Sequence, residues 1–229
     1  MALPIPQPWF QSALELLDLR RQDRLLALGP TLEQARHLAA CVGSRGTLVV
    51  VQPDRAEAEG IAALDLPHVE VLAHDPLGDE RFGSFDALLG VFVTGPLPTL
   101  GAFADLARAN LRPGGRLVYD LPGSEMVPDL AAVAGELGWS AERTARLRGP
   151  ADDALADALR SAGLRRVQSQ LGGHLLHIAS PFDLVDALAP ICDADPDERT
   201  ELGHLLVRRR GGTGPLEVLV HRTRVQALR

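Results

Sequence analysis

Leu111-Arg112-Pro113-Gly114-Gly115-Arg116-Leu117-Val118-Tyr119-Asp120 is the stretch on which the fold turns. Residues 102–110 before it carry a helical pattern, and Pro113 stops that helix because proline lacks an N–H and clashes with the preceding turn. Gly114 and Gly115 permit the positive φ needed to swing the chain round. Arg116–Asp120 is then an apolar run bound for a central strand. A helix that breaks on Pro-Gly-Gly and passes straight into such a run is half of a βαβ crossover, the unit from which parallel sheets are built.

The same alternation extends on the N-terminal side. Arg24–Leu28 is a short buried strand ending on Gly29-Pro30. Leu32–Val42 follows with helical spacing and stops at Gly43, and Thr47–Val51 is continuously apolar, as a strand covered on both faces should be. Asp54, with Glu57 three residues on, reads as a capping box for the next helix. Val69–Ala73 and Phe85–Val91 are the third and fourth strands, and Pro8–Leu19 predicts a leading amphipathic helix. Beyond Asp120 the rhythm changes. Val127–Leu137 and Ser140–Leu147 read as short helices and Ala151–Ala162 as a firmer one. Arg165–Leu171 and His174–Ala179 read as two strands joined at Gly172-Gly173. Two helices and a final strand, Glu217–Val225, complete the pattern, which divides into domains at 1–180 and 181–229.

The bulk numbers exclude several classes. The chain has 229 residues, a net charge of −7 and 46% hydrophobic side chains, enough for a sizeable core but no general attraction to nucleic acid or anionic membrane. All 23 basic residues are arginine. Without lysine there is neither a Schiff-base chemistry nor a standard phosphate-binding P-loop. Cys41 and Cys192 are far apart and sit in apolar helical patterns, so they read as free thiols, and no Cys/His cluster has zinc spacing. The first ten residues lack a basic start and a long apolar run, so a cytoplasmic protein without a membrane span is expected.

Taken together, Leu25–Thr31, Val49–Asp54, Val71–Asp75, Ser84–Phe92 and Leu111–Asp120 resemble the class I S-adenosylmethionine-dependent methyltransferases, in a divergent or degenerate form. Leu111–Gly115 matches the Leu-Lys-Pro-Gly-Gly turn of that family. The resemblance implies an α/β Rossmann-like fold: a mostly parallel seven-stranded sheet with a terminal antiparallel hairpin and helices on both faces. It implies S-adenosylmethionine as cofactor, held by Gly29, Pro30, Thr31, Gln52, Asp75 and Gly90, and a small-molecule or protein methyl acceptor, with Ser124–Gly149 covering it.

This chain departs from the family at several of those positions. The first loop is ordinarily Asp-x-Gly-x-Gly-x-Gly; here Ala27, Gly29, Thr31 and Glu33 stand in its place. Thr31 and Gln34 make a capping box, which directs the hydroxyl at the N–H groups a cofactor would use. Gln52 replaces the acid that faces the ribose, and a neutral amide accepts more weakly than a carboxylate. Asp54 reads as a helix cap and, alternatively, as a substitute for that acid. Asp75 matches the acid that contacts adenine, and Gly90 lies where the fourth strand passes the methionine tail. Val91–Thr94 carries no Asn-Pro-Pro-Tyr-type motif, and no general base is assigned. Two functions therefore stand side by side: an S-adenosylmethionine-dependent methyltransferase, and a non-catalytic member of the fold that serves as a dimerising, regulatory or scaffold protein.

Other candidates are weaker. His74 beside Asp75 has the makings of a general base but reads as a surface histidine. His174 and His177 point to opposite faces of a strand and make no metal pair. Asp193, Asp195 and Asp197 imitate a calcium loop, but Glu198 and His204 occupy the positions that need glycine and glutamate. Asp195-Pro196-Asp197-Glu198 reads instead as a helix start. Arg208–Arg210, Arg222, Arg224 and Arg229 make the C-terminal stretch basic, yet no aromatic is interleaved for base stacking, so nucleic acid is not expected.

Overall fold

Residues 7–73, 81–90, 99–123, 127–145, 147, 150–151, 153–192 and 194–229 are described by a computed structural model. In chain order the elements are α1 (Gln7–Leu17), β1 (Arg24–Leu28), α2 (Leu32–Val42), β2 (Thr47–Val51), α3 (Arg55–Ala62), β3 (Val69–Leu72), β4 (Phe85–Gly90), α4 (Leu100–Asn110) and β5 (Leu111–Pro122). They continue with α5 (Pro128–Glu136), α6 (Ala141–Ala145), α7 (Ala154–Ser161), β6 (Arg165–Ile178), α8 (Pro181–Cys192), α9 (Pro196–Arg210) and β7 (Leu216–Leu228).

The seven strands lie in the order β3-β2-β1-β4-β5-β7-β6. The first five are parallel, with Leu26 of β1 paired to Val49 on one side and Leu88 on the other. β7 runs antiparallel to β5, since Gly114 donates to the Arg229 carbonyl while Gly123 donates to the His221 carbonyl. β6 is antiparallel to β7: His177 faces Glu217, and Gln168 bonds Gln226. This is the class I methyltransferase sheet expected from the sequence.

Two compact units make up the chain. In the first (residues 7–121, 153–170 and 224–229), Leu26, Leu28, Val49, Val51 and Leu88 pack with Phe103 and Leu106 of α4 and Leu155 and Leu159 of α7. The alternate strand residues Leu25, Ala27, Leu48, Val50 and Leu89 are equally buried, so both faces of this part of the sheet are covered. That is why these strands are apolar throughout rather than alternating. In the second unit (chiefly residues 122–152 and 171–223), Leu130 and Val133 of α5, Leu184 and Leu188 of α8, and Leu202 and Leu206 of α9 pack on one face of the strands, against Leu176, Ile178, Val218 and Val220. Among the described residues no helix is long and apolar enough to cross a membrane.

Two local readings are corrected. β5 starts at Leu111, before Pro113: Phe85 pairs with Leu111 and Ala87 with Arg116, so Arg112–Gly115 bulge out of the ladder. Only Gly114 takes a positive φ, 78°. Gly115 is needed for close approach, because a Cβ there would stand 2.9 Å from the Arg112 carbonyl oxygen. Second, Gly172-Gly173 makes no turn. β6 runs straight through both, and its antiparallel partner is β7, reached through α8 and α9.

Candidate functional site

Strand order reverses between β1 and β4, whose crossovers leave in opposite directions. In open α/β sheets the crevice at the strand C-termini beside such a switch point is where ligands bind. Here it is bordered by Gly29 at the end of β1, Gln52 past the end of β2 and Gly90 at the end of β4. Gly29 has φ 61°, the left-handed conformation that lets a strand turn sharply into a helix.

The backbone donors of this loop are engaged by the protein itself. Gly29 N–H extends the ladder to the Val51 carbonyl at 2.8 Å. Pro30 has no N–H. Thr31 N–H donates to Gln34 Oε1 at 2.9 Å, and Gln34 N–H returns a bond to Thr31 Oγ1 at 3.3 Å, which is the capping box read from the sequence. Leu32 N–H donates to Glu57 Oε2 at 2.9 Å. The helix N-terminus, where the backbone favours an anion, therefore already holds a carboxylate from α3.

Gln52 is 5% exposed and engaged at both ends. Its Nε2 donates to the Pro30 carbonyl at 2.8 Å, and its Oε1 accepts from Asp54 N–H at 3.0 Å. Asp54 caps α3 through Glu57 N–H, as expected. The other half of that capping box does not form: Gln52 has taken the Asp54 N–H, and Glu57 turns to Leu32 instead. The sequence held all four residues, but their long-range pairing needed the two loops side by side.

Gly90 faces a ring. A Cβ at this position would lie 2.3 Å from Tyr119 Cδ2, and Tyr119 in turn packs on Phe103 with ring centroids 4.1 Å apart. His74 and Asp75 lie outside the described residues, as do Val91–Thr94, Asp193 and Ser124 to Met126 of the acceptor-covering segment. His174 and His177 stand as alternating positions of β6, with His177 3.4 Å from Glu217. Asp195 and Glu198 form the capping box of α9 with Pro196 in its first turn.

The basic residues near the C-terminal end are built into the structure. Arg209 pairs with Glu136 at 2.9 Å, Arg210 pairs with Asp129, and Arg229 donates to the Leu111 carbonyl. Arg224 is 3% exposed and holds the Asp120 carboxylate through Nε at 2.7 Å and Nη2 at 2.9 Å. Its guanidinium also reaches Ser12 Oγ and the Trp9 carbonyl and lies 4.0 Å from the Trp9 ring centroid. The second unit carries a groove of about 770 Å³, lined by Asp129, Arg210, Glu217, Leu219 and His221 among others. Among the described residues its lining holds no paired nucleophile and base.

No protein-family profile matches the chain, and no curated protein matches it. Solved structures do. The YcgJ protein of Bacillus subtilis aligns over 98% of this chain and 99% of its own, at 12% identity and a TM-score of 0.69. A putative methyltransferase of Bacillus halodurans aligns over 96% and 97%, at 13% identity and 0.66. A putative methyltransferase of Haloferax volcanii, solved with the methyltransferase activator Trm112, aligns over 96% and 89%, at 16% identity and 0.54. The chain has the class I methyltransferase fold.

That fold implies S-adenosylmethionine as cofactor, and the groups of the first loop that would face it already have partners within the protein. The donors that would meet its methionine end are bonded to Val51, Gln34 and Glu57, and the residue that would meet its ribose is bonded to Pro30 and Asp54.

Proposed function

We propose that this chain is a non-catalytic member of the class I methyltransferase fold, acting through protein association as a dimerising, regulatory or scaffold protein. One observation carries the reading: Glu57 places its carboxylate on the first turn of α2, at the helix N-terminus that would otherwise receive an anionic ligand. Evicting it would leave the Glu57 carboxylate and the Leu32 N–H each to find a new partner, a charge-assisted bond worth about 1.5–3 kcal/mol net. The fold persists without the chemistry because packing, not the loop, maintains it.

The second reading is an S-adenosylmethionine-dependent methyltransferase with a small-molecule or protein acceptor. It draws support from the left-handed Gly29 at the switch point and from the exposed Asp54, whose carboxylate lies close enough in sequence to take the ribose role. Gly29, Pro30, Thr31, Gln52, Asp75 and Gly90 would be its cofactor residues.

Titration calorimetry with S-adenosylmethionine and S-adenosylhomocysteine separates the two. No heat at millimolar ligand is expected. A dissociation constant in the micromolar range would overturn the first reading in favour of the second.

A further inference from the structure

Among the described residues β6 ends the sheet, and one of its edges has no described strand beside it. Over Leu171–Ile178 its residues alternate. Leu176 and Ile178 are buried toward α5, α8 and α9, whereas Leu171, Gly173 and Leu175 lie on the opposite face. Leu171 is 51% exposed, Leu175 52% and Leu219 of the neighbouring β7 47%. The three surround Gly173, over which Leu219 leans: a Cβ on Gly173 would meet Leu219 Cδ1 at 3.2 Å. The described residues contain one other large exposed hydrophobic side chain, Leu16.

Natural sheets protect an open edge with charge, proline or a bulge. Leu171–Ile178 has no Asp, Glu, Lys, Arg or Pro. In a chain of net charge −7, that neutral segment is a place where two copies can meet without like-charge repulsion. The exposed face also reads the same in both directions: leucine, glycine, leucine at positions 171, 173 and 175. Antiparallel pairing about a two-fold axis at Gly173 brings Leu171 opposite Leu175 of the second copy and closes both leucine patches over the two glycines. A two-fold interface demands this kind of self-complementarity.

We propose that β6 pairs edge to edge with β6 of a second copy of this chain, antiparallel and centred on Gly173, with Leu171, Leu175 and Leu219 of both copies forming the apolar centre. The surface goes beyond the reading given above and stands whether or not the switch-point crevice binds a cofactor.

Light scattering coupled to size exclusion, at tens of micromolar, should give about twice the 24.5 kDa of one chain. Leu175→Asp should weaken the dimer by about 100-fold, as expected when a central apolar anchor is replaced by a charge, and should melt at the wild-type midpoint when both are diluted until they are single chains. Leu16→Asp should leave it intact. Register is read by cross-linking in a Cys41→Ser/Cys192→Ser background. Gly173→Cys lies on the axis and should form a disulfide with its own copy. His177→Cys lies four residues off the axis, roughly 25 Å from its counterpart, and should not. A single-chain mass for the wild type, a Leu175→Asp protein that remains dimeric, or cross-linking at 177 rather than 173 would each overturn the proposal.

Discussion

Gln52 joins two loops with one amide, donating to Pro30 and accepting from Asp54. Glutamate at this position keeps the acceptor and loses the donor, and it sets a carboxylate against the Pro30 carbonyl in a nearly buried place. We expect Gln52→Glu to cost about 2 kcal/mol in urea unfolding at neutral pH. Because a protonated glutamate regains a donor, the difference from wild type should shrink as the solution is acidified; a difference that grew on acidification would show the bond to Pro30 to be unimportant. At the residue scale the sequence was legible wherever a motif is local. Thr31 with Gln34, and Asp195 with Glu198, are capping boxes four residues long, and both formed. The partners of Gln52 and Glu57 lie 22 and 25 residues away, and only parallel β1 and β2 bring them near.

Elements meet through side chains of matched size. Gly90 of β4 exists to admit the Tyr119 ring of β5, so Gly90→Ala should cost about 3 kcal/mol through overpacking. In a Tyr119→Ala background the same change should cost almost nothing, and the thermodynamic cycle measures the coupling. An additive double mutant would refute the account. In the second unit α6 is tied to α9 by Arg143, whose guanidinium grips Glu198 with bonds of 2.5 and 2.6 Å and stacks 3.8 Å from the Trp139 ring centroid. Hydrogen bonding from Arg143, helped by the Asp195 N–H, pulls the Glu198 carboxyl down from its ordinary 4.5 to about 2. The folded value is below the unfolded one, so the stabilisation is complete above pH 4.5 and disappears as the pH falls toward 2. Glu198→Gln preserves the cap but not the charge, and should cost about 0.5–1 kcal/mol at pH 7. Acid titration of the two proteins by circular dichroism should bring their stabilities together at the low end. Element boundaries were mostly legible from periodicity. Gly172-Gly173 misled because two glycines between apolar runs signal a turn, and the patch that Gly173 floors on β6 becomes visible only once β7 is beside it.

At the scale of the whole molecule, the ion pair between Arg224 of β7 and Asp120 of β5 also anchors α1 through Trp9 and Ser12. Both charges are nearly inaccessible, at 3% and 0%. Arg224→Met deprives the Asp120 carboxylate of two charged bonds and should cost about 3–5 kcal/mol, while Arg224→Met combined with Asp120→Asn should recover part of that loss. Chemical denaturation of the three variants tests it; a double variant no better than the single would place the energy elsewhere. The layout of the sheet was legible from the repeated strand–helix rhythm, but this junction was not. Arg224 read as one more cation in a basic stretch, because sequence alone does not say that a strand so late in the chain lies inside the sheet.

That position has a consequence for biosynthesis. β7 separates β5 from β6, so on the ribosome β5 and β6 are both finished while the strand that must lie between them is still unmade. Until it arrives, the two nascent strands have open sides facing solvent and, on a polysome, one another's copies. A chaperone that delays their pairing, or a slow stretch of translation ahead of β7, would bear directly on how much of this protein reaches its finished form.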